Sequence, residues 1–480
     1  MLGSVPAAVA ATVARTSIAR TRPGLSPAVA GLIRMSSSTP SSAPGAAEPR
    51  PGFGPDGFSP RAADRVRTFD PRGSVFAEFT ALANAHSAVN LGQGFPNLPL
   101  PGFLTEAAEK AVGAGTMMQQ YARSQGHMRL VQALAKYYEP RIGISICPTT
   151  EIITTVGASE AISSMMQALI NPGEEVIMME PFFDIYPATI RLAGGVPKYV
   201  ALRPSTTDST TPGAGHTAAD WKLDFEELES QITSKTRMLI VNTPHNPIGK
   251  IFNREELERL ADIAKRHDLL VLSDEVYEAI GYNDAPEPMQ SIAALPGMKE
   301  RTITVGSAGK TFSVTGWKIG WAIAPAHIIH SILMVHQFMP FTVVTPLQEA
   351  VATSFEHVMS EEGSRYFGEL CDTMAGKRDR LLEILRGVGM TAYSPHGSYF
   401  ILADVRSLAG RVPAEADPLG DPYAFCHWMT REIGVTAIPT GNFYSPEHRH
   451  LAQGFIRFCF CKTDDMIEQA GERLQRLVSM

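Results

Sequence analysis

From about residue 150 the chain alternates short β-branched apolar runs with stretches whose apolar positions recur at helical spacing. Glu151–Val156 reads as a strand. Ser159–Leu169 repeats apolar residues with the helical period, and Asn171-Pro172-Gly173 ends it. Glu175–Met179, Thr236–Asn242, Leu269–Ser273 and Thr302–Val305 are further buried-strand patterns, and Arg254–Arg266 is an amphipathic helix between two of them. Strands alternating with helices predict an α/β fold with a mostly parallel central sheet sandwiched by helices. Ligands in such sheets sit at the carboxyl ends of the strands. Near Pro346 the pattern changes. A long helix over Tyr366–Gly387 is followed by strands near Tyr399–Ala403 and Gly454–Cys461, which predicts a smaller α+β C-terminal unit. Residues 204–220 and 409–422 are rich in small and turn-forming residues and read as surface insertions. No internal repeat is visible.

Composition narrows the classes. The 480 residues are 44% hydrophobic and 19% charged, an ordinary globular balance, with a net charge of −7 that argues against nucleic acid as partner. No apolar run reaches the roughly 18 residues that a membrane span needs. The five cysteines are odd in number, and Cys459-Phe460-Cys461 is too closely spaced for a zinc-site pair, so all five read as reduced core or near-core thiols. Residues 1–47 hold no acid, while Arg15, Arg20, Arg22 and Arg34 are spread among Ala, Val, Ser and Thr. That is the pattern of a transit peptide, and mitochondrial import to the matrix is expected. Met35 offers a second start for a cytosolic form, and the stretch up to about residue 60 has a disorder-prone composition.

The candidate chemistry centres on Lys310 in Ser307-Ala308-Gly309-Lys310, followed by Lys318 in Gly316-Trp317-Lys318-Ile319-Gly320. Gly309-Lys310-Thr311 resembles the end of a P-loop, but that motif needs a glycine where Thr304 stands. A lysine among small residues suits an enzyme that holds an aldehyde cofactor covalently while a flat ring approaches the backbone. Pyridoxal phosphate needs a particular set of partners. Its ring nitrogen wants a buried carboxylate, for which Asp274 is the candidate. Its phenolic oxygen wants donors, which Asn246 and Tyr277 can supply. Its phosphate wants a helix N-terminus with hydroxyl and cationic groups: Gly157, Ala158 and Ser159, with Ser307 and Lys318. Phe183 can lie against the ring. Arg457, alone in an apolar strand, has the planar fork that suits a substrate carboxylate. Taken singly, each residue has a plain alternative: Asp274 a turn or cap acid, Asn246 a turn residue, Lys318 a surface lysine, Phe183 core, Arg457 a strand-edge cation. What the alternatives leave unexplained is their joint occurrence, in this order, at strand ends.

These stretches resemble the fold-type I, class I/II pyridoxal-phosphate aminotransferases. The motifs Asn90–Pro96, Pro181–Asp184, Asp274–Tyr277, Gly306–Gly320 and Ile456–Phe460 are similar to its kynurenine–oxoglutarate aminotransferase branch, also described as glutamine transaminase K and cysteine-S-conjugate β-lyase. The resemblance implies a tail over residues 1–60, an arm over 61–100, a large cofactor-binding domain over 101–345 and a small domain over 346–480. It implies that Lys310 carries the cofactor and moves the substrate proton, that Asp274 and Tyr277 assist it, and that Gly94, Asn246 and Arg457 hold the substrate carboxylate. Phe76 and Phe341 would line the side-chain pocket. Tyr121 would reach the phosphate of a neighbouring subunit in a homodimer with shared sites. The activity implied is transfer of an amino group from kynurenine, glutamine or another bulky amino acid to a 2-oxo acid such as 2-oxoglutarate, giving kynurenate from kynurenine. β-Elimination from cysteine S-conjugates on the same site is the alternative, and a cofactor-binding regulator a remote one. The chain departs from the wider family at Lys318, where arginine is frequent. It also departs at Ser159-Glu160, Phe76 and Thr342, where Tyr-Gly, tryptophan and histidine are common.

Overall fold

The computed structural model describes residues 56–71, 73–205 and 215–480. The expected import segment, the start at Met35 and most of the expected tail lie outside these described residues. The first strands in chain order are β1 (Val89–Asn90), β2 (Ile152–Val156), β3 (Glu175–Glu180), β4 (Val196–Pro204), β5 (Trp221–Leu223), β6 (Thr236–Asn242) and β7 (Leu270–Asp274). There follow β8 (Thr302–Ser307), β9 (Ile319–Ile323), β10 (Thr391–Ala392), β11 (Phe400–Asp404), β12 (Val435–Thr436), β13 (Ile438–Pro439) and β14 (Phe455–Cys459).

An eight-stranded sheet in the order β2-β9-β8-β7-β6-β3-β4-β5 forms the large part. Its central strands β8, β7, β6, β3 and β4 run parallel. The alternation along β6 shows why it is covered twice. Met238 and Ile240 pack into one apolar cluster with Ile162, Met165 and Met166 of the helix Gly157–Leu169. Leu239 and Val241 pack on the other face with Leu257 and Leu260 of the helix Arg254–Arg266. That second helix opens on a reciprocal cap: Asn253 Oδ1 accepts from the Glu256 amide at 2.8 Å, and Glu256 Oε2 from the Asn253 amide at 3.0 Å.

β9 was not singled out by the apolar pattern, and it runs antiparallel to both β2 and β8. Only residues 308–318 separate it from β8, too few for the crossover that a parallel neighbour requires. Lys318 makes the reversal with φ of 55°. The register pairs Val156 with Ile319 and Ser307 with Gly320, so the start of β9 lies at the same edge as the ends of β2 and β8. Asn242, Asp274 and Val305 align along that edge.

The C-terminal part carries an antiparallel sheet in the order β10-β11-β14-β13. The long helix Tyr366–Gly387 has the bounds expected from the sequence. β1 pairs with β12, tying the segment before Gly92 to the C-terminal part. All five cysteines are free thiols; Cys147 differs from the core or near-core expectation in being exposed, in a turn where its Sγ lies 3.3 Å from Thr149 Oγ1. Among the described residues, no helix is long and apolar enough to cross a membrane.

Candidate active site

The edge where β6, β7 and β8 end opens into a cavity of about 270 Å³. Lys310 lies on its wall, in the single helical turn Ala308–Thr311 that follows β8. The Lys310 amine donates to the Tyr399 hydroxyl at 2.8 Å and lies 3.4 Å from the Gly94 carbonyl oxygen. Enclosure away from water lowers its pKa from the ordinary lysine value to about 8. The free amine is therefore reached far closer to neutral pH than for an ordinary lysine, although the ammonium form still leads below about pH 8.

Asp274, the last residue of β7, is 3% exposed. Its Oδ2 accepts from the Tyr186 hydroxyl at 2.5 Å and its Oδ1 from the Val276 amide at 3.3 Å. Burial raises its pKa, so without a cation in the cavity the carboxylate is in an unfavourable setting. The backbone around it is fixed by Asn242, whose Nδ2 donates to the Asp274 carbonyl at 2.9 Å. Asn242 Oδ1 accepts from the Asn246 amide at 2.7 Å, which brings Asn246 to the cavity wall.

Arg457 projects from β14 and is 1% exposed. Its Nη1 donates to Asn246 Oδ1 at 3.1 Å and its Nη2 to the Gly92 carbonyl at 2.8 Å, while Nε has no partner. The guanidinium lies 4.2 Å from the ring centre of Phe400, 5.1 Å from Phe76 and 5.3 Å from Phe443. No carboxylate pairs with it among the described residues, although Asp184 acts on it from a distance. A buried cation with spare donors, walled by aromatic faces, is a receptor for an anion.

The other end of the cavity is a cup. Gly157, Ala158 and Ser159 open the helix Gly157–Leu169, with Ser307 and Lys318 beside them. Gly157 has φ of +73°, and a Cβ there would lie 3.2 Å from both Cε and Nζ of Lys318. The site thus needs glycine both for backbone shape and for the approach of the lysine. A helix N-terminus, hydroxyls and an ammonium together suit a phosphate. Phe76, Phe183 and Tyr277 line the space between cup and arginine. Gly94 lies there too, close under Phe400: a Cβ on it would be 2.9 Å from Phe400 Cζ.

Thirteen of the residues singled out in the sequence thus share one cavity: Phe76, Gly94, Gly157, Ala158, Ser159, Phe183, Asn246, Asp274, Tyr277, Ser307, Lys310, Lys318 and Arg457. Tyr121 and Phe341 do not. They meet edge to face at 5.1 Å on the surface, 81% and 51% exposed. Phe341, with φ of 70° in the link between the helices Ala326–His336 and Thr345–Val358, is not a wall of this chain's cavity. Three residues with direct contacts were missed. Tyr186 bonds Asp274, Tyr399 bonds Lys310, and Asn242 orders Asn246. Asn242 closes the strand pattern Thr236–Asn242 four residues before Asn246, and that spacing is a usable signal.

The chain matches the family model "Aminotransferase class I and II" over residues 87–474. It is 43% identical over 425 residues to the kynurenine–oxoglutarate transaminase of Dictyostelium discoideum, covering 86% of this chain and 95% of that one. Against the kynurenine–oxoglutarate transaminase 1 of Homo sapiens it is 40% identical over 405 residues, covering 84% and 95%. Among solved structures, Bna3p of Saccharomyces cerevisiae, a candidate kynurenine aminotransferase, superposes with a TM-score of 0.81 at 35% identity, covering 87% of this chain and 99% of that one. YbdL of Escherichia coli, with a methionine aminotransferase function, gives 0.74 at 33% identity, covering 84% and 97%.

Proposed function

We propose, from the premise that this chain belongs to the class I and II aminotransferases, that it transfers the amino group of kynurenine to a 2-oxo acid such as 2-oxoglutarate, with pyridoxal phosphate held in the cavity. The observation that carries the reading is the pairing, across one cavity, of the enclosed Lys310 amine with the buried, carboxylate-free Arg457 guanidinium. The donor set fits the cofactor. The cup at Gly157–Ser159, Ser307 and Lys318 suits its phosphate, Asp274 its ring nitrogen, Asn246 and Tyr277 its phenolic oxygen, and Phe183 its flat face. Bound there, pyridoxal phosphate supplies an aldehyde carbon that links to amines and a ring that draws electrons from the substrate's Cα.

The chain's residues do the rest. Arg457 grips the α-carboxylate with donors that Asn246 and Gly92 leave free, and the Gly94 backbone lies beside it. That grip fixes the donor so that its Cα faces the Lys310 amine. With the cofactor bound, Lys310 would take the Cα proton on its Nζ and hold it there for return, a role its lowered pKa suits. Asp274 keeps a proton on the ring nitrogen: a cation there draws the carboxyl back from the raised pKa of its buried site. Tyr186 holds that carboxylate in place. Phe76, which lines the cavity beside the arginine and is backed by the buried Phe443 ring tilted 30° to it at 6.2 Å, offers an apolar face to an aromatic donor side chain.

The exposed Tyr121, Phe341, Met117 and Phe338 support a homodimer, in which Tyr121 meets the neighbour's phosphate cup. The arginine-bearing, acid-free residues 1–47 support import into mitochondria. The deciding experiment incubates the purified protein, loaded with pyridoxal phosphate, with kynurenine and 2-oxoglutarate and follows kynurenate. Formation of kynurenate and glutamate in equal amounts is expected. No turnover with kynurenine, alongside turnover of another donor, would reassign the substrate and leave the family intact.

A further inference from the structure

Tyr399 touches both the Lys310 amine and the Gly94 carbonyl through its hydroxyl. It is fully buried. Its hydroxyl donates to the Gly94 carbonyl at 2.7 Å, which commits its only proton. Towards Lys310, 2.8 Å away, it can therefore only accept. Burial next to Tyr277 pushes its pKa well up, so it remains a neutral phenol across the working range.

Its position is rigid. The Tyr399 carbonyl accepts from the Phe460 amide at 3.1 Å. The preceding residue, Ser398, is held by its amide to the Ile280 carbonyl at 2.9 Å and by its carbonyl to the Tyr282 hydroxyl at 2.6 Å. The Tyr399 ring is wedged edge-on against Tyr277 at 5.1 Å and Phe400 at 4.9 Å. The two oxygens near the Lys310 nitrogen, from Tyr399 and Gly94, belong to one hydrogen-bonded unit. A neutral amine that gives its hydrogens to that side points its lone pair to the other.

We propose that Tyr399 is a positioning residue: its phenol docks the freed Lys310 amine and turns the nitrogen lone pair into the cavity, towards the carbon that loses its proton. The inference rests on the reading of Lys310 as the amine that links to the cofactor and carries the proton. The phenol also favours the ammonium form over the amine, because an acceptor bonds a charged donor more strongly than a neutral one. Removing it should therefore make Lys310 a weaker base and a worse-aimed one.

The test compares Tyr399→Phe with wild type, both as full-length protein loaded with pyridoxamine phosphate, in which the lysine is free. The pH dependence of trace acetylation at Lys310, read by peptide mass spectrometry, gives the midpoint of that one amine. The other titratable and charged groups facing it are Asp274 at the end of β7 and Tyr277 after it, Lys318 before β9, and Arg457, Cys459 and Cys461 on the β14 side. None of these changes in the variant, so a shift reports the phenol. The midpoint should fall by about half a unit or more in Tyr399→Phe. In turnover, kcat should drop with KM for both substrates held, because the carboxylate grip is untouched. An unmoved midpoint in a folded Tyr399→Phe protein overturns the docking role. So does a loss in which KM and kcat move together. Lys310→Ala separates the two levels: if it is inactive while the Tyr399→Phe midpoint is unmoved, only the docking role fails. If Lys310→Ala still turns over, the reading of Lys310 fails, and the docking role with it.

Discussion

Replacing Arg457 by lysine probes the carboxylate grip while keeping its charge. The guanidinium has five N–H donors, and the bonds to Asn246 Oδ1 and the Gly92 carbonyl take one hydrogen each from Nη1 and Nη2. The remaining donors include the unpartnered Nε, enough to meet a carboxylate with two parallel bonds. A lysine has three donors. If it keeps Asn246 and Gly92 satisfied, it has one left for the substrate. The variant thus loses about one charge-assisted hydrogen bond, roughly 1.5–3 kcal/mol, which is about ten- to hundredfold in kcat/KM. Amino donor and 2-oxo acid each present a carboxylate next to the reacting carbon, so both share the grip. Steady-state rates, with kynurenine and 2-oxoglutarate varied in turn, should show kcat/KM falling by a similar factor for each. A fall for one substrate alone, or none for either, would refute Arg457 as the common carboxylate site.

Asp274→Asn keeps the Tyr186 contact but removes the charge opposite the ring nitrogen. Turnover should fall by about ten- to hundredfold, and a variant within twofold of wild type would remove Asp274 from the account. If two subunits share their sites through Tyr121, mixing and exchanging inactive Lys310→Ala with weakened Tyr121→Ala subunits creates dimers with one intact site. Random pairing then restores about a quarter of wild-type activity, whereas unshared sites restore nothing beyond the Tyr121→Ala residue of activity. Glu275 is fully buried, and burial raises its pKa to about 8 against two serine hydroxyl bonds, from Ser273 at 2.6 Å and Ser291 at 2.7 Å. The folded protein thus keeps a proton that the unfolded chain releases above 4.5, so this group costs stability progressively as pH rises from there towards 8. Urea midpoints should show Glu275→Gln gaining on wild type between pH 5 and 8, and a pH-independent difference would contradict the assignment.

The sequence carried the site wherever chemistry and strand ends coincide. Asp274, Asn246 and Lys310 each follow an apolar run, and Arg457 sits in the middle of one, between Ile456 and Phe458, so residue type and position pointed the same way. Tyr186 and Tyr399 gave no such signal. Tyrosine in an apolar neighbourhood is ordinary core, and their roles come from partners 88 and 89 residues away in the chain. The antiparallel course of β9 was equally hidden. It depends on Lys318 adopting a left-handed conformation, which residue type alone does not announce for lysine. For Tyr121 and Phe341 the limit is different in kind. The family resemblance placed both in a substrate pocket or a neighbour's site, but one chain shows them only as an exposed aromatic pair.

Everything turns on which amine holds the cofactor, and Lys310 and Lys318 both face the same cavity. Borohydride reduction of the protein loaded with pyridoxal phosphate fixes the link, and peptide mass spectrometry then locates it. The account predicts the added mass on the peptide that contains Lys310, and its absence, together with the visible absorption band and turnover, from Lys310→Ala. The mass on Lys318, or on no lysine in an active preparation, would contradict it.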